Sequence, residues 1–386
     1  MKTLIELYDE RPMDNVLATE TFRPQETIFV CPPKVAEDRA LQETLRQYFR
    51  HRDVPVKLAF VPVSLLNAEK VEKTLRQVIR DHPDCAMDIS GGTDAALYAA
   101  GAVSQDIPVF TYSRKTNTFY EIHNAEFARN LPCKVRLDVA SCFLMAGGRL
   151  LPGREDNAKL EKYENLIDAL FDVYRQYRDV WNRQVNYLQR ISVGTGGDLK
   201  AAGPWTVKAD NHQVTADADL LRALEKAELI RDLELGREEV SFSFRDTVTR
   251  FWLRDVGSAL ELQVWRACRA AGCFDDVVLS AVVDWQVPDP QAAVTNEIDV
   301  AAVRGVIPLF ISCKATEIRT EALNELAILR DRFGGKGSRA MIVTSVPMER
   351  SRGVTHRRAA ELGIEVVEWE DVALERLAEI VRENQK

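Results

Sequence analysis

Two charged residues lie in neighbouring apolar runs of the C-terminal third of the chain, and their types could act on a phosphate ester. Asp299 lies in the segment NEIDV, and Lys314 ends the segment LFISCK fifteen positions later. This spacing suits adjacent strands that bring a carboxylate and an ammonium group to one point. Phosphodiester cleavage needs an activated water and neutralised phosphate charge, which carboxylate-bound metal ions supply. Ser312 stands where a second carboxylate is expected, so the remaining acid is an open question.

The elements around these residues alternate in a way that predicts an α/β core. A helix that contains Glu261 comes first, and Gly257 lies four residues earlier on nearly the same helical face. The elements that follow are apolar runs at 275–287, 296–303 and 309–315, a helix at 321–333 and a strand at 340–345. The segment ELGIEVVEWED and a helix over 372–383 end this part. Helix, three strands, helix and strand are typical of an α/β domain.

The N-terminal part alternates strands and helices at a pitch that predicts a parallel, Rossmann-like sheet. Its β-rich runs are residues 3–8, 27–32, 56–63, 86–90 and 108–113. Residues 36–50 and 68–80 have apolar side chains at helical spacing. Ligands of such sheets bind outside the carboxyl ends of the strands.

Three loops at that edge are candidates for a phosphate-bearing ligand. The first contains Asp9, Glu10 and Arg11. The others are the loop Ser90, Gly91, Gly92 and Thr93 before a helix, and the cationic loop Ser113, Arg114 and Lys115. Glycines let the backbone approach a ligand, and a helix N-terminus offers N–H groups to an anion. The alternative is a turn in which Thr93 only caps the helix. The chain has no GxGxxG motif, which argues against a dinucleotide cofactor.

The composition of the chain restricts its compartment and its partners. The 386 residues have a net charge of -8, so nucleic-acid binding requires a local basic patch. Seven cysteines without a CxxC pair argue against structural zinc. An acidic, short apolar start and no apolar run of eighteen residues predict a cytoplasmic protein without a membrane span. The candidate nucleic-acid contacts, for which a charged helix face is the alternative, are Lys336, Arg339, Arg350, Arg352, Arg357 and Arg358.

The middle of the chain is predicted to connect two domains. Residues 160–191 have helical spacing, residues 194–204 have the composition of a linker, and residues 219–229 are helical. A hairpin is predicted around Gly236. Helix and hairpin suggest a winged-helix DNA reader, but the segment is acidic, so we interpret it as a connector. The predicted boundaries are residues 1–150, 151–244 and 245–386.

Both ends of the chain resemble known families. Residues 1–150 resemble a CARF domain, the CRISPR-associated Rossmann fold that senses cyclic oligoadenylates, in strand order and in DISGGTDAALYAAG and YSRKTNTFYEI. The C-terminal part resembles the PD-(D/E)xK nuclease superfamily in NEIDV and FISCK. The combination is similar to CRISPR ancillary nucleases that cyclic oligoadenylate activates. This resemblance implies a homodimer with the ring, for example cyclic tetra-adenylate, bound across its two-fold axis by the three loops.

The nuclease resemblance also implies roles for individual residues. Glu261 and Asp299 would hold Mg²⁺ or Mn²⁺ together with the backbone carbonyl of Cys313. Lys314 would orient or deprotonate the water, or stabilise the phosphorane. Ser312 departs from the acidic residue of the superfamily pattern.

Three groups could replace the acid that is missing at Ser312. Glu297 shares a strand face with Asp299, because side chains two positions apart point the same way. Glu325, or with less reach Glu321, lies on the helix that follows the lysine strand. The third candidate is a water molecule held by Ser312 itself. We favour Glu325, and we keep open a site that binds nucleic acid without cutting it.

Two other functions remain open on the sequence alone. One is a ligand-gated regulator that binds nucleic acid without catalysis. The other is a ring nuclease that degrades the cyclic signal in the N-terminal domain, with Ser113 and Lys115 as its candidate residues.

Overall fold

Two large β-sheets organise the computed structural model. It describes residues 1–153, 157–192, 198–209, 212–286, 294–335, 337–346 and 352–384. The first sheet is N-terminal, the second is mostly C-terminal, and helices with two smaller sheets, of two and three strands, lie between them in the described chain. None of the described helices is long and apolar enough to cross a bilayer.

The N-terminal sheet has the predicted parallel order. Its strands are β1 Thr3–Leu7, β2 Glu26–Cys31, β3 Lys57–Pro62, β4 Cys85–Asp88, β5 Val109–Ser113, β6 Thr118–His123 and β7 Leu131–Pro132. Its helices are α1 Leu17–Phe22, α2 Pro33–Glu37, α3 Arg39–His51, α4 Ala68–Asp81, α5 Asp94–Val103 and α6 Val139–Met145. The strands lie in the order β3-β2-β1-β4-β5-β6-β7, and β6 and β7 are antiparallel to their neighbours. The predicted α/β class is therefore confirmed, and all five predicted strands are present.

The middle of the chain is more ordered in secondary structure than its composition predicted. Its elements are β8 Arg149–Leu150, α7 Asn157–Leu160, α8 Glu164–Gln176, α9 Arg178–Ile191, β9 Lys200–Pro204, β10 Thr206–Ala209, β11 His212–Thr215, α10 Ala218–Lys226, β12 Ile230–Leu235 and β13 Glu239–Phe244. The hairpin predicted around Gly236 is confirmed by the antiparallel pair β12 and β13.

The prediction of a linker is wrong for residues 200–204. They form β9, which pairs antiparallel with β13. Ala201 is buried, and a Cβ on Gly203 would collide with Ile191 of α9. The small residues that resembled a linker therefore allow a strand to pack closely on a helix. Most of the preceding stretch, residues 193–197, lies outside the described residues.

The second sheet is mixed. Its part of the chain contains α11 Thr247–Trp252, α12 Ser258–Ala270, β14 Asp276–Asp284, β15 Thr295–Arg304, β16 Ile307–Lys314, α13 Thr320–Leu329, β17 Arg339–Thr344, α14 Arg352–Glu361, β18 Ile364–Val367 and α15 Leu374–Glu383. The order is β18-β17-β16-β15-β14-β8, with β14, β15 and β16 antiparallel and β16, β17 and β18 parallel. A π-helical turn, Arg330–Gly334, extends α13.

The two large sheets share one hydrophobic core. Phe143 of α6 is fully buried, and its ring lies 6.0 Å from that of Phe310 and 5.4 Å from that of Phe333, measured between centroids. The short strand β8 pairs with β14 at the edge of the second sheet. The N-terminal part is therefore packed directly against the sheet that holds Asp299 and Lys314.

Candidate active site

Asp299 and Lys314 lie together on two neighbouring strands, as predicted, although Asp299 is in the middle of β15 and only Lys314 ends its strand. The Asp299 carboxylate is on β15, and the Lys314 ammonium, on β16, is 4.0 Å from its Oδ2 atom. The backbone N–H of Cys313 donates to the same oxygen at 2.6 Å. Burial raises the pKa of Asp299 above its usual range, while the nearby ammonium of Lys314 opposes that rise. This half-buried carboxylate therefore has a backbone donor and one cation beside it.

Glu261 approaches this pair from the adjacent helix α12. Burial, followed by repulsion from Asp299, raises the pKa of Glu261 to about 8. A Cβ at Gly257 would collide with the Glu261 carboxylate, so glycine at this position leaves room for it. The predicted proximity of Gly257 and Glu261 is confirmed. Asp255, which the sequence did not indicate, accepts from the N–H of Gly257 and from both donors of Ser258 and adds to the negative potential at Glu261.

Ser312 points into the site, as the two-residue period of the strand predicts. Its hydroxyl donates to Asp299 Oδ2 at 3.1 Å. Glu297 lines the same small pocket as Asp299, Ser312 and Lys314. Serine therefore replaces a negative charge with a neutral donor to the remaining aspartate.

Glu325 also lines this pocket, and Glu321 does not belong to its lining. The carboxylate of Glu325 is exposed and accepts from Asn296 Nδ2 at 2.7 Å. Asn296 in turn accepts from the indole N–H of Trp285 at 2.8 Å. Glu325 is thus positioned at the margin of the site, and its catalytic role stays a prediction.

The acidic groups suit a hard divalent cation. Among the described residues, no three His, Cys, Asp or Glu side chains converge closely enough to form a complete metal site. Glu261 and Asp299 are nevertheless half-buried, and the charge of Asp299 raises the pKa of Glu261, so a cation between them would relieve their cost of ionisation. Mg²⁺ commonly takes one or two carboxylates and completes its shell with water and phosphate oxygens. The donor chemistry fits, whereas the part of the Cys313 carbonyl stays a prediction.

The segment after Lys314 is held by the middle of the chain, which the sequence did not indicate. Asn182 of α9 donates from Nδ2 to the carbonyl of Ala315 at 3.1 Å. The N–H of Ser345 donates to the carbonyl of Lys314 at 3.1 Å. The end of β16 is therefore fixed both by its neighbouring strand and by α9.

A cleft of about 730 Å³ opens at the carboxyl edge of the N-terminal sheet. Of the predicted ligand residues, it is lined by Asp9, Glu10, Gly92 and Thr93. Thr93 also caps α5, accepting from the N–H of Ala96 at 3.3 Å, so the capping interpretation is confirmed for its hydroxyl.

The other predicted ligand residues have structural partners or lie elsewhere. Arg11 is paired with Asp9 at 2.7 Å, and Arg114 is paired with Asp14. Gly91 is required because a Cβ there would collide with the carbonyl of Leu7, and the Ser90 hydroxyl accepts from the N–H of Tyr112 at 2.7 Å. Ser113 ends β5. Arg114 and Lys115 line a different cleft, which faces the second sheet, and Arg114 also lines a small pocket with Glu10 and Arg11.

The predicted basic residues do not form one described cluster. Lys336, Arg350 and the side chain of Arg352 lie outside the described residues. Arg339 begins β17, five residues before Thr344, which is the register partner of Lys314. Arg358 of α14 donates to Asn324 and pairs with Glu361, and Arg357 is exposed. Arg339 thus lies at the other end of the sheet from Lys314.

Comparison with known proteins gives a family for the C-terminal part. Residues 247–386 match the family model described as the Card1-like endonuclease domain. No curated protein matches the sequence.

Solved structures share the fold over almost the whole chain. Protein VC1899 from Vibrio cholerae aligns with a TM-score of 0.76 and 18% identity, covering 99% of this chain and 97% of that chain. Can2 from Sulfobacillus thermosulfidooxidans, in complex with cyclic tetra-adenylate, aligns with a TM-score of 0.71 and 16% identity, covering 100% and 97%. A type III CRISPR defence DNA nuclease activated by cyclic oligoadenylate aligns with a TM-score of 0.49 and 13% identity. The alignment covers 89% of this chain and 45% of that chain.

The TM-scores of the first two structures establish a shared fold. Together with the family match over residues 247–386, this shared fold confirms the predicted combination of a parallel N-terminal sheet with a C-terminal endonuclease domain. The family match extends over the helix that holds Glu261 and the strands that hold Asp299 and Lys314. Residues 247–386 of this chain are therefore a Card1-like endonuclease domain.

Proposed function

We propose that the protein is a homodimeric, metal-dependent nuclease, activated by a cyclic oligoadenylate, that acts in type III CRISPR antiviral defence. The observation that carries the proposal is the half-buried cluster of Asp299, Lys314 and Glu261 inside a Card1-like endonuclease domain. Two observations support a cyclic oligoadenylate as the activator. The endonuclease domain is joined to a parallel sheet with an open cleft, and the whole chain shares its fold with Can2, which was solved with cyclic tetra-adenylate.

In this proposal each residue of the cluster has a separate task. A bound Mg²⁺ or Mn²⁺ ion would activate a water and neutralise the phosphate. Asp299 and Glu261 hold the ion, and the N–H of Cys313 fixes the orientation of Asp299. Lys314 donates to the attacking water or to the phosphate oxygens as their negative charge grows. Glu325 and Glu297 line the pocket and can bind outer water molecules.

The activator belongs in the cleft at the edge of the N-terminal sheet. Asp9, Glu10, Gly92 and Thr93 line it, and the helix α5 directs its N-terminus there. A second copy of the chain would cover the ring. Leu66 at the rim is 81% exposed, and Tyr98 on α5 is 76% exposed, which suits an apolar contact between two copies.

A cleavage assay tests the proposal. The substrates are labelled single-stranded DNA, single-stranded RNA and supercoiled plasmid, each with Mn²⁺ and with or without cyclic tetra-adenylate. We expect cutting that requires the activator and the metal and that is lost in Lys314→Ala and Asp299→Asn, while both variants keep the unfolding midpoint of the wild type. Full activity in both variants would overturn the assignment of the site.

A binding protein without catalysis is the second candidate, because Ser312 replaces an acid and no third described ligand completes a metal site. Tight, metal-independent binding of nucleic acid without cutting would favour it. A ring nuclease would instead consume cyclic tetra-adenylate in the Lys314→Ala variant and lose that reaction in Lys115→Ala.

A further inference from the structure

A second cleft, of about 640 Å³, lies between the N-terminal sheet and the endonuclease domain. One wall is the turn between β5 and β6 with residues 133–136, and the other is the hairpin turn between β15 and β16 around Gly305. The two walls are joined by hydrogen bonds. The N–H of Leu137 donates to the carbonyl of Gly305 at 2.8 Å, and Arg136 is paired with Asp275 at 2.8 Å. The cleft therefore exists only when both parts of the molecule are packed together.

The lining of this cleft is strongly cationic in a protein whose net charge is -8. The described lining residues include one carboxylate, Asp275, and five cations: Arg114, Lys115, Lys134, Arg136 and Arg304. Arg136 is paired with Asp275, and Arg114 is paired with Asp14 outside the cleft. Lys115 and Lys134 are exposed, and within the described chain no carboxylate lies within ion-pair distance of either ammonium. Such a concentration of positive charge attracts an anion with several negative groups.

The lining also indicates how that anion would be held. None of the described lining residues is aromatic, so the cleft offers no ring on which a base could stack. Lysine and arginine side chains without a stacking partner are typical of contacts to sugar-phosphate. The ligand would be recognised by its phosphates and not by its bases.

The cleft is separate from both sites described above. Arg304 ends β15 five residues after Asp299, which is about 17 Å along an antiparallel strand. Arg114 and Lys115 do not line the cleft that contains Asp9 and Thr93. We propose that this interdomain cleft is a further phosphate-binding site, and that it holds the backbone of a single-stranded nucleic acid outside the nuclease pocket. The choice of nucleic acid rests on the proposed function, whereas the phosphate chemistry rests on the cleft alone.

The test measures binding in a protein that cannot cut. In a Lys314→Ala background, the affinity for labelled single-stranded DNA and RNA is measured between about 50 and 200 mM salt. Each phosphate contact that is lost lowers the slope of log affinity against log salt by about 0.7 for a single strand. We expect Lys115→Ala and Lys134→Ala each to lower the slope by that amount, and the double variant to lower it by about 1.4.

The matched control removes the same charge elsewhere. Lys70 and Lys73 are exposed on α4, outside the lining of the cleft, and their double alanine variant should leave the slope at the parent value. Equal slopes in the two double variants would overturn the nucleic-acid site.

Calorimetry with tripolyphosphate separates the possible sources of the phosphate. If Lys115→Ala and Lys134→Ala weaken tripolyphosphate binding while oligonucleotide binding is unchanged, the cleft is a phosphate site for a small molecule and the nucleic-acid assignment is wrong. If neither ligand responds, the cleft is not a phosphate site. Neither measurement needs cleavage or activator, so failure of this proposal is distinguishable from failure of the proposed function.

Discussion

Ser312 changes the electrostatics of the nuclease pocket more than its shape. Glu261 and Asp299 already repel each other in a buried site that has one ammonium nearby. A third carboxylate would add repulsion, whereas the Ser312 hydroxyl donates to Asp299 Oδ2 and stabilises its charge. The serine therefore makes the metal-free site less costly to keep folded.

An aspartate at position 312 should lower the stability of the metal-free protein and raise its affinity for a metal ion. We expect Ser312→Asp to destabilise the protein by about 1–3 kcal/mol in the presence of a chelator, because it adds an unpaired carboxylate. With Mn²⁺ its melting temperature should rise more than that of the wild type, because bound metal stabilises the folded state. Ser312→Ala is the control, with a loss of about 0.5–1.5 kcal/mol and no larger response to Mn²⁺. An equal Mn²⁺ response in all three proteins would contradict a metal at this position.

A second buried acid, Asp88, should make stability depend on pH. Burial raises the pKa of Asp88 from 3.8 to about 7, and Asp14 adds to the rise. Glu6, its register partner on β1, also has a raised pKa because of burial and the charge of Asp88. The folded state thus keeps a proton that the unfolded state has lost, so the contribution of Asp88 is present below pH 3.8 and is lost as the pH rises towards about 7.

The variant Asp88→Asn should remove this dependence. Between pH 3.8 and about pH 7, the wild type should lose on the order of 4 kcal/mol of unfolding free energy relative to the variant. Urea unfolding at a series of pH values measures it. Because the charge of Asp88 contributes to the raised pKa of Glu6, the substitution also lowers the pKa of Glu6, and this change belongs to the measured difference. A flat difference for Asp88→Asn would mean that this carboxyl is not protonated in the folded state.

At the scale of residues, the sequence was sufficient to place those site residues whose position depends on the alternation of side chains along a strand. Asp299, Ser312 and Lys314 were placed on one face because side chains alternate along a strand. Asp255 and Asn182 were missed, because a helix-capping contact and a bond to a distant carbonyl leave no periodic signal. The sequence also did not show that the predicted ligand residues are divided between two clefts. Arg114 and Lys115 follow the right strand, but the packing of the second sheet gives them a different cleft.

At the scale of elements, the start of α12 is shaped by the side chain that it positions. Gly257 has φ of -79°, so its backbone does not require glycine. The requirement comes from the Glu261 carboxylate, which occupies the space of a Cβ.

A methyl group at Gly257 should therefore impair activity more than stability. We expect Gly257→Ala to displace the Glu261 carboxylate and to lower the cleavage rate by about tenfold, equivalent to about 1.4 kcal/mol in the barrier. Chemical unfolding should change little. Gly101→Ala in α5 is the control, since no atom lies within 4 Å of its added Cβ, and it should stabilise by about 0.5–1 kcal/mol without loss of activity. Full activity of Gly257→Ala would exclude Glu261 from the metal site.

Strand and helix order could be predicted because each element leaves a local pattern of apolar residues. The helices have apolar side chains at helical spacing, whereas the inner strands β1, β2 and β4 are short continuous apolar runs that are buried on both faces. The failure at residues 200–204 has the opposite cause. Ala201 and Gly203 are small because they pack on α9, and small residues in sequence resemble a flexible segment. The distinction depends on a tertiary contact that no local pattern contains.

At the scale of the whole molecule, the shared core should make the two large sheets unfold together. Phe143 belongs to the N-terminal part, yet its ring contacts Phe310 and Phe333 of the endonuclease domain. All six tryptophans lie after residue 150, so tryptophan fluorescence reports the rest of the chain, whereas circular dichroism reports all of it.

We expect Phe143→Ala to destabilise the protein by about 3–5 kcal/mol, as truncation of a buried aromatic ring does. Because the core is shared, the tryptophan transition should shift as far as the transition seen by circular dichroism. Phe127→Ala is the control, since Phe127 is 42% exposed and outside this contact. A tryptophan transition unmoved by Phe143→Ala would show that the two parts unfold independently.

The helix α13 and the π-helical turn that extends it contact both the nuclease pocket and the first loop of the N-terminal sheet. Ala322, Glu325 and Leu326 of α13 line the nuclease pocket, and the π-helical turn that extends α13 lines a pocket with residues 10–13 of the first loop. Coupling between two binding sites is reciprocal, so an activator that tightens substrate binding by some factor is itself bound more tightly by that factor when substrate is present. Such an enzyme would retain its signal while nucleic acid is abundant and release it as the supply falls. The duration of the response would then follow the amount of substrate, without a separate timing device.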